Sequence, residues 1–339
     1  MATPSVSTLM GPPISTSSGG RRLASSRLMF GTASISGHQA LTSGLGLLWL
    51  LDALLQFQPY MFTTAFPQQV IGTTAAGNPG WVHGPVLWAS SLMAHHIVVL
   101  NAGFAVVQLL IGIGLLSPRT LRWALGGSVI WSLLVWWLGE GLGGILTGPI
   151  SPVAGLPGAV LLYAIAAVLL WPRAAGVPAK PASESVASSS PLRATGASTV
   201  WMVLWLGFAW EALRPDNRAP GALHDMVAGM SDGEPAWIGH INTWAAGLLD
   251  GRGLGASIVL AVCFVLIALS VLVPRLRRPG VILAVVMSVT IWVIFQDFGT
   301  IGTGKGTDPN SGLPLVLLAL CYWPTARRRG SNTDRGGLT

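Results

Sequence analysis

Residues 136–148 read Trp136-Trp-Leu-Gly-Glu140-Gly-Leu-Gly-Gly-Ile-Leu-Thr147-Gly148 and continue through Pro-Ile into Ser151-Pro152. The stretch closes one long apolar run, turns over glycines and opens another apolar run. A second version reads Trp292-Val-Ile-Phe-Gln296-Asp297-Phe-Gly299-Thr-Ile-Gly-Thr303-Gly304 and closes with Asp308-Pro309. From Thr147 to Thr303 the shift is 156 positions, and Trp81/Trp237, Pro118/Pro274, Arg119/Arg275 and Trp136/Trp292 keep the same shift. One ungapped offset through five landmarks is the mark of an internal duplication.

The composition says where such a chain resides. Of 339 residues, 51% are hydrophobic and only 9% charged, and fifteen are tryptophan. A soluble domain carries about a quarter charged residues, so this is the composition of a membrane protein whose first partner is the lipid bilayer. The net charge of +7 does not imply nucleic acid, because the arginines stand at the ends of apolar runs, where orientation in the bilayer accounts for them. Cys263 and Cys321 lie inside apolar segments, with no CxxC or Cys/His finger spacing, so neither a disulfide framework nor covalent haem is indicated.

A membrane-crossing helix needs about 20 apolar residues. Spans are expected near 41–60, 97–117, 122–139 and 152–171, and again near 197–213, 254–273, 280–298 and 309–323. The fifth and the last are short for a full crossing. Ser151-Pro152 and Asp308-Pro309 each read as an N-cap followed by proline at the first helical position. The expected organisation is a disordered basic tail over 1–40, a four-helix membrane repeat over 41–172, a Pro/Ala/Ser linker over 173–197, a second repeat over 198–324 and a basic tail over 325–339. Arg21-Arg22 is too far from the first apolar run, which carries Asp52, to make a convincing cleaved export signal.

With the N-terminus inside, fifteen of the nineteen basic residues fall on the inner side. That satisfies the positive-inside rule and puts both termini in the cytoplasm, the protein being multi-pass in the plasma (inner) membrane. Each repeat has an even number of spans, so the fold is an all-α membrane protein of eight helices in two parallel four-helix repeats. The long outer loop of each repeat holds Trp81, Pro85, Trp88 and Leu92, or Trp237, Ile241, Trp244 and Leu248, at helical spacing. Each set predicts a short amphipathic helix with its tryptophans at headgroup depth.

Asp52 lies within the first span, where an acid costs about 2.5–3.5 kcal/mol on insertion scales and so marks a polar interior or a functional site. Its counterpart is Glu211, which has Arg214 one turn away. The first repeat offers Asp52 and Glu140 no lysine or arginine on the outer side, only His83, His95 and His96. These residues are expected to converge on an outward-facing polar site able to bind a divalent metal, relay protons or hydrogen-bond a quinone. Adjacent His95 and His96 point about 100° apart on a helix and serve one ion poorly, and aromatic-belt histidines with Glu140 capping the next turn are the plain alternative. In the second repeat Gln296 stands where Glu140 does, next to Asp297, and Gly251 and Arg252 replace the two histidines. The Gly299–Gly306 run imitates a phosphate-binding loop, but Gly306 occupies the Ser/Thr position and the run follows an apolar helix, so that reading is rejected.

Four-span units with an acid in the first helix and a Gly-rich turn between the third and fourth resemble the DoxX-like membrane proteins, here fused in tandem. The repeated W-x(6)-G-x(3)-T-G pattern at 136–148 and 292–304 is also similar to uncharacterised membrane proteins of actinobacteria. The resemblance implies a membrane-integral redox or quinone-associated subunit, with a redox or assembly partner at the outer face. A small-solute or metal-ion transporter, or a structural membrane protein, are the alternatives.

Overall fold

In the computed structural model, the described residues are 36–148, 151–172, 185–230 and 233–325. Their regular structure is all helical, with no strand among them. The first half contains α1 (Gly37–Leu55), α2 (Gly80–His95), α3 (Ile97–Leu116), α4 (Leu121–Leu138) and α5 (Ala159–Leu169). The second contains α6 (Arg193–Ala212), a short α7 (Ala222–Gly229), α8 (Ala236–Leu249), α9 (Gly253–Ser270), α10 (Arg277–Thr290) and α11 (Gly312–Cys321).

Four helices are long and apolar enough to cross a membrane: α3, α4, α9, and α10 with its continuation to Phe295. Val99, Leu110, Trp123, Ile130, Val259 and Leu266 stand exposed along them, as suits side chains that meet lipid tails. α1 and α6 are as long but more polar, for α1 includes Thr42 and Asp52 and α6 includes Arg193 and Glu211. The outer-loop helices expected around the tryptophans are present as α2 and α8, with Trp81, Trp88, Trp237 and Trp244 all exposed.

The last helix of each half differs from its expectation. α5 has 11 residues and α11 has 10. At 1.5 Å per residue each is about 16 Å long, half of the hydrocarbon thickness. Neither starts at its Ser-Pro or Asp-Pro pair. Gly155 and Gly158 hold φ of 115° and 103° around Pro157, so the chain from Ser151 runs irregularly until Ala159. In the second half Asn310 takes φ of 58°, and α11 opens at Gly312. Both helices are buried along most of their length, touch one another, and are enclosed by α4, α10 and α1. Irregular backbone is tolerated at such depth only where protein surrounds it. Residues 151–158 meet that condition, since all but Ala154 and Gly155 are buried.

The other boundaries shift less. The first helix already runs at Gly37, inside the segment expected as a tail, whereas 1–35 lie outside the described residues. The expected linker keeps 173–184 outside the description, but a tight turn at Ala187–Ser189 and the start of α6 at Arg193 order its last part.

Between α4 and α5 the chain makes a left-handed turn. Gly141, Leu142, Gly143 and Gly144 have φ of 54°, 61°, 61° and 71°. Between α10 and α11, Asp297, Phe298, Gly299 and Thr300 do the same at 42°, 55°, 79° and 53°. A left-handed conformation costs a non-glycine residue about 1–2 kcal/mol. Three such residues in the second turn are held by packing, for the Phe298 ring lies 5.5 Å from that of Trp237 and 5.0 Å from that of Trp292. In the first turn a Cβ on Gly143 would collide with the backbone carbonyl of Pro157.

Gly143→Ala therefore meets both a forbidden conformation and immovable backbone, and is expected to destabilise the folded protein by more than about 3 kcal/mol. Gly84→Ala, in α2 with open space around its Cβ, is expected to be neutral or to add about 0.5–1 kcal/mol. Unfolding in mixed micelles of increasing denaturing detergent distinguishes the two, and equal midpoints would remove the turn from its central role.

Candidate functional site

Asp52 lies near the C-terminal end of α1 and is 1% exposed. The Tyr163 hydroxyl of α5 donates to its Oδ1 at 3.3 Å. Tyr163 is fixed edge-on by Trp49, centroids 4.9 Å apart, and Trp49 Nε1 donates to Ser128 Oγ at 2.9 Å. The acid is thus held from below by a chain of buried, hydrogen-bonded side chains from three helices.

Above it opens a cavity of about 300 Å³. Its walls come from α2 (Trp88, Ala89, Leu92), α3 (Leu100, Phe104, Gln108) and α4 (Trp131, Leu134, Leu138), with Phe66 and Val70 from the preceding loop. Asp52, Gln56, Gln108, Glu140, Thr307 and Asp308 supply most of its polar surface. Trp88, Leu92 and Leu134 are exposed to the outside, so the cavity can be reached along the apolar flank of the helices. Glu140 and Asp308 also border a second, more polar cleft of about 560 Å³, lined further by Tyr60, Thr74, Thr300 and Lys305. The two carboxyl groups stand where apolar cavity and polar cleft meet.

Glu140 follows α4 and faces the first turn of α5, where the backbone N–H groups of Ala159 and Val160 reach its carboxyl. A carboxylate at a helix N-terminus is favoured by the exposed N–H groups and the helix dipole. Burial works the other way and dominates. It pushes the Glu140 carboxyl up to about 8, with the neighbouring Asp308 carboxylate adding to the rise. Asp308 is likewise raised by burial, against the hydrogen bonds it accepts from the Thr307 hydroxyl at 2.8 Å and the Asn310 N–H at 2.7 Å.

Gln296 does the same structural work in the second half. Its Oε1 accepts from the Gly312 N–H at 3.0 Å, at the start of α11, while Nε2 donates to Ser311 Oγ at 2.8 Å and to the Val153 carbonyl at 3.1 Å. Asp297 is fully buried and accepts from Asn242 Nδ2 at 2.8 Å. Glu211 lies elsewhere, 3.5 Å from Arg214, and borders a groove between α5 and α6 instead of the cavity.

The histidines do not join Asp52 and Glu140. His83, His95 and His96 are all exposed, and none lines the cavity. His95 Nδ1 pairs with the Ser91 carbonyl at 2.7 Å, one turn back on α2, and His96 forms the joint between α2 and α3. Their helix ends on the outer edge of the cavity, so the exposed face of α2 carries them away from it. Among the described residues no three His, Cys, Asp or Glu side chains are grouped to hold a metal ion.

Asp308, Gln56, Gln108 and Tyr163 complete the site and were not singled out as site residues from the sequence. Asp308 is reached only because the 300–308 loop crosses to the first half, where Gln58 Nε2 donates to the Gly306 carbonyl at 2.9 Å and Lys305 Nζ stands 5.6 Å from the Tyr60 ring centroid. Its place before Pro309 marked a turn and gave no hint of that crossing.

No protein-family model, no curated protein and no solved structure matches the chain, so the role of this cavity rests on its own chemistry. The raised Glu140 carboxyl makes one consequence measurable. Between its ordinary 4.5 and about 8 the folded protein holds a proton that the unfolded chain releases, so stability falls as pH rises through that window. Glu140→Gln keeps an acceptor for α5, as Gln296 does for α11, and removes the titration. Thermal unfolding between about pH 5 and pH 9 should therefore show a smaller loss of midpoint in the variant than in the wild type. Parallel curves would mean that Glu140 is not the buried titrating group.

Proposed function

We propose that this chain is a DoxX-like integral membrane protein that takes a lipid-soluble amphiphile from the outer part of the bilayer into the cavity above Asp52. The observation that carries the reading is an apolar cavity, open on the apolar flank of the helices, that ends in three carboxyl groups. A pocket of about 300 Å³ is in the range of small-molecule sites, and few convergent polar groups in apolar walls are their usual make-up. Buried acids with no structural need to be charged are costly inside a membrane protein, and they are kept for binding or proton handling.

The architecture proposed with it is eight membrane passages in two parallel repeats over 41–172 and 198–324, both termini cytoplasmic in the plasma membrane. Helix starts at Gly37 and Arg193, Gly80 and Ala236, Ile97 and Gly253, and Leu121 and Arg277 all keep the 156 shift. The left-handed turns at 141–144 and 297–300 keep it as well. Asn101 and Ser257 keep the shift too, and each donates to a backbone carbonyl past the first helix of its half, Gln56 and Asn217. α5 and α11 complete their passages through buried irregular chain.

A quinone-associated redox subunit is the form of this function that the resemblance implies. A through-path for solute or metal finds less support. Inward of Asp52 the packing is Trp49, Tyr163 and Leu45, all fully buried.

The direct test is solvent extraction of the protein purified in mild detergent, followed by mass spectrometry. Wild type should retain about one molecule of a specific amphiphile per chain, and Ala89→Trp, which fills the cavity wall, should lose it. Recovery of bulk lipid alone in equal amounts from both would sink the ligand site. For the architecture, single cysteines in a cysteine-free background at Thr73 and Asp250 should label from outside intact cells with an impermeant maleimide, and one at Ala194 should label only after permeabilisation. Outside labelling at position 194 would reverse the scheme.

A further inference from the structure

We propose that the ligand of the cavity is an amphipathic cation, an apolar body bearing a protonated amine or a guanidinium that donates hydrogen bonds to Asp52, Glu140 and Asp308. The inference rests on the reading of the cavity as a ligand site and adds the sign of the charge and the hydrogen-bonding polarity of what enters.

The first support is charge. Three carboxyl groups face one space, and none of the described residues lining it is lysine, arginine or histidine. The cation of the adjoining cleft, Lys305, stands over the Tyr60 ring. Carboxylates buried together need protons, water or a counter-charge. A ligand cation supplies the counter-charge only while it is bound.

The second support is independent of the acids. Gln56 and Gln108 line the cavity at 5% and 7% exposure, and the Oε1 of each is buried without a hydrogen-bond donor. Glu140 Oε2 is buried with no donor in hydrogen-bonding geometry either. Against these acceptors the lining offers one unpaired buried donor, Trp131 Nε1. Leaving a buried polar atom unpaired costs about 1–3 kcal/mol, so the cavity is matched to a guest that donates several hydrogen bonds. A quinone, which only accepts, could take the Trp131 and glutamine N–H groups but would leave the three carboxyl groups without a counter-charge.

The third support is the wall. Phe66, Trp88, Phe104 and Trp131 present aromatic surface to the same space. Aromatic faces attract ammonium and guanidinium groups as well as alkyl chains, and the attraction strengthens where water is excluded. Carboxylates at one end and aromatic rings along the sides are the two elements that hold organic cations.

The test compares octylguanidinium with octylurea, which has nearly the same shape but no charge, and a carbonyl oxygen in place of one amino group. Binding to the purified full-length protein in detergent micelles is followed by tryptophan fluorescence and by titration calorimetry. Wild type is expected to prefer octylguanidinium by at least about tenfold, and Asp52→Asn and Asp308→Asn are each expected to reduce that preference by about fivefold or more. Asp308 lies on a loop, so its variant decides the matter if Asp52→Asn fails to fold. Ala89→Trp should abolish binding of both compounds. Equal affinity for the two compounds, both lost in Ala89→Trp, would overturn the cation and leave the ligand site standing. A guanidinium preference that survives in Asp308→Asn and Ala89→Trp would be micelle partitioning and would also overturn it. Binding of neither compound would remove both readings.

Discussion

Two helices in this protein begin where water is scarce. The first N–H groups of an α-helix have no partners within it, and in solution water serves them. α5 and α11 start among buried residues, so their partners come from the chain itself. Glu140 turns back on Ala159 and Val160, and Gln296 turns back on Gly312. Each return requires the chain to reverse within four residues after the preceding helix, and a left-handed turn does so in both halves. Gly143 must approach the Pro157 carbonyl, and Gly299 approaches the backbone of Asp308 and Pro309. The position of α5 relative to α4, and with it the rear wall of the cavity, follows from that closure.

Much of this was legible in the sequence because spacing and composition carry it. The 156 shift, the apolar runs, the paired tryptophans of α2 and α8, and the cost of Asp52 in hydrocarbon are all local or periodic properties. The helix starts at Ser151-Pro152 and Asp308-Pro309 were misjudged because the capping signal was sound but the following residues were not helical. Gly155 and Gly158 with Pro157 hold the first chain irregular, and Asn310 delays the second. Capping rules describe a helix that meets solvent. Here the partner comes from a residue 16 positions earlier, Gln296 for Gly312, across the left-handed turn.

The site was legible only in part, for a related reason. Asp52 and Glu140 announce themselves as acids in an apolar setting. His83, His95 and His96 were the basic side chains expected on the same side as the acids, and all three are exposed and absent from the cavity wall. Asp308 arrives from the other half of the chain, 256 positions after Asp52, held there by the Gln58–Gly306 hydrogen bond. No periodicity within one half encodes a contact between a loop of the second and a cavity of the first. Gln56 and Gln108 look like ordinary polar residues in the sequence, and their meaning lies in buried oxygens without donors.

The two halves then allow structure and function to be separated at a single position. Gln296 meets the needs of α11 without a charge, using its carbonyl for Gly312 and its amide for Ser311 and Val153. Glutamine at 140 would serve α5 in the same manner, so the capping role does not require the carboxylic acid found there. Burial opposes its ionisation strongly enough to move it to about 8. A group that the fold does not need, and that the fold makes expensive to ionise, is placed on the border between an apolar cavity and a polar cleft. The second half has no carboxyl at the matching position, and the described cavity that gathers three acids belongs to the first. The added carboxyl at Glu140, with Asp308 brought over from the later half of the chain, gives the first half the chemistry of a site.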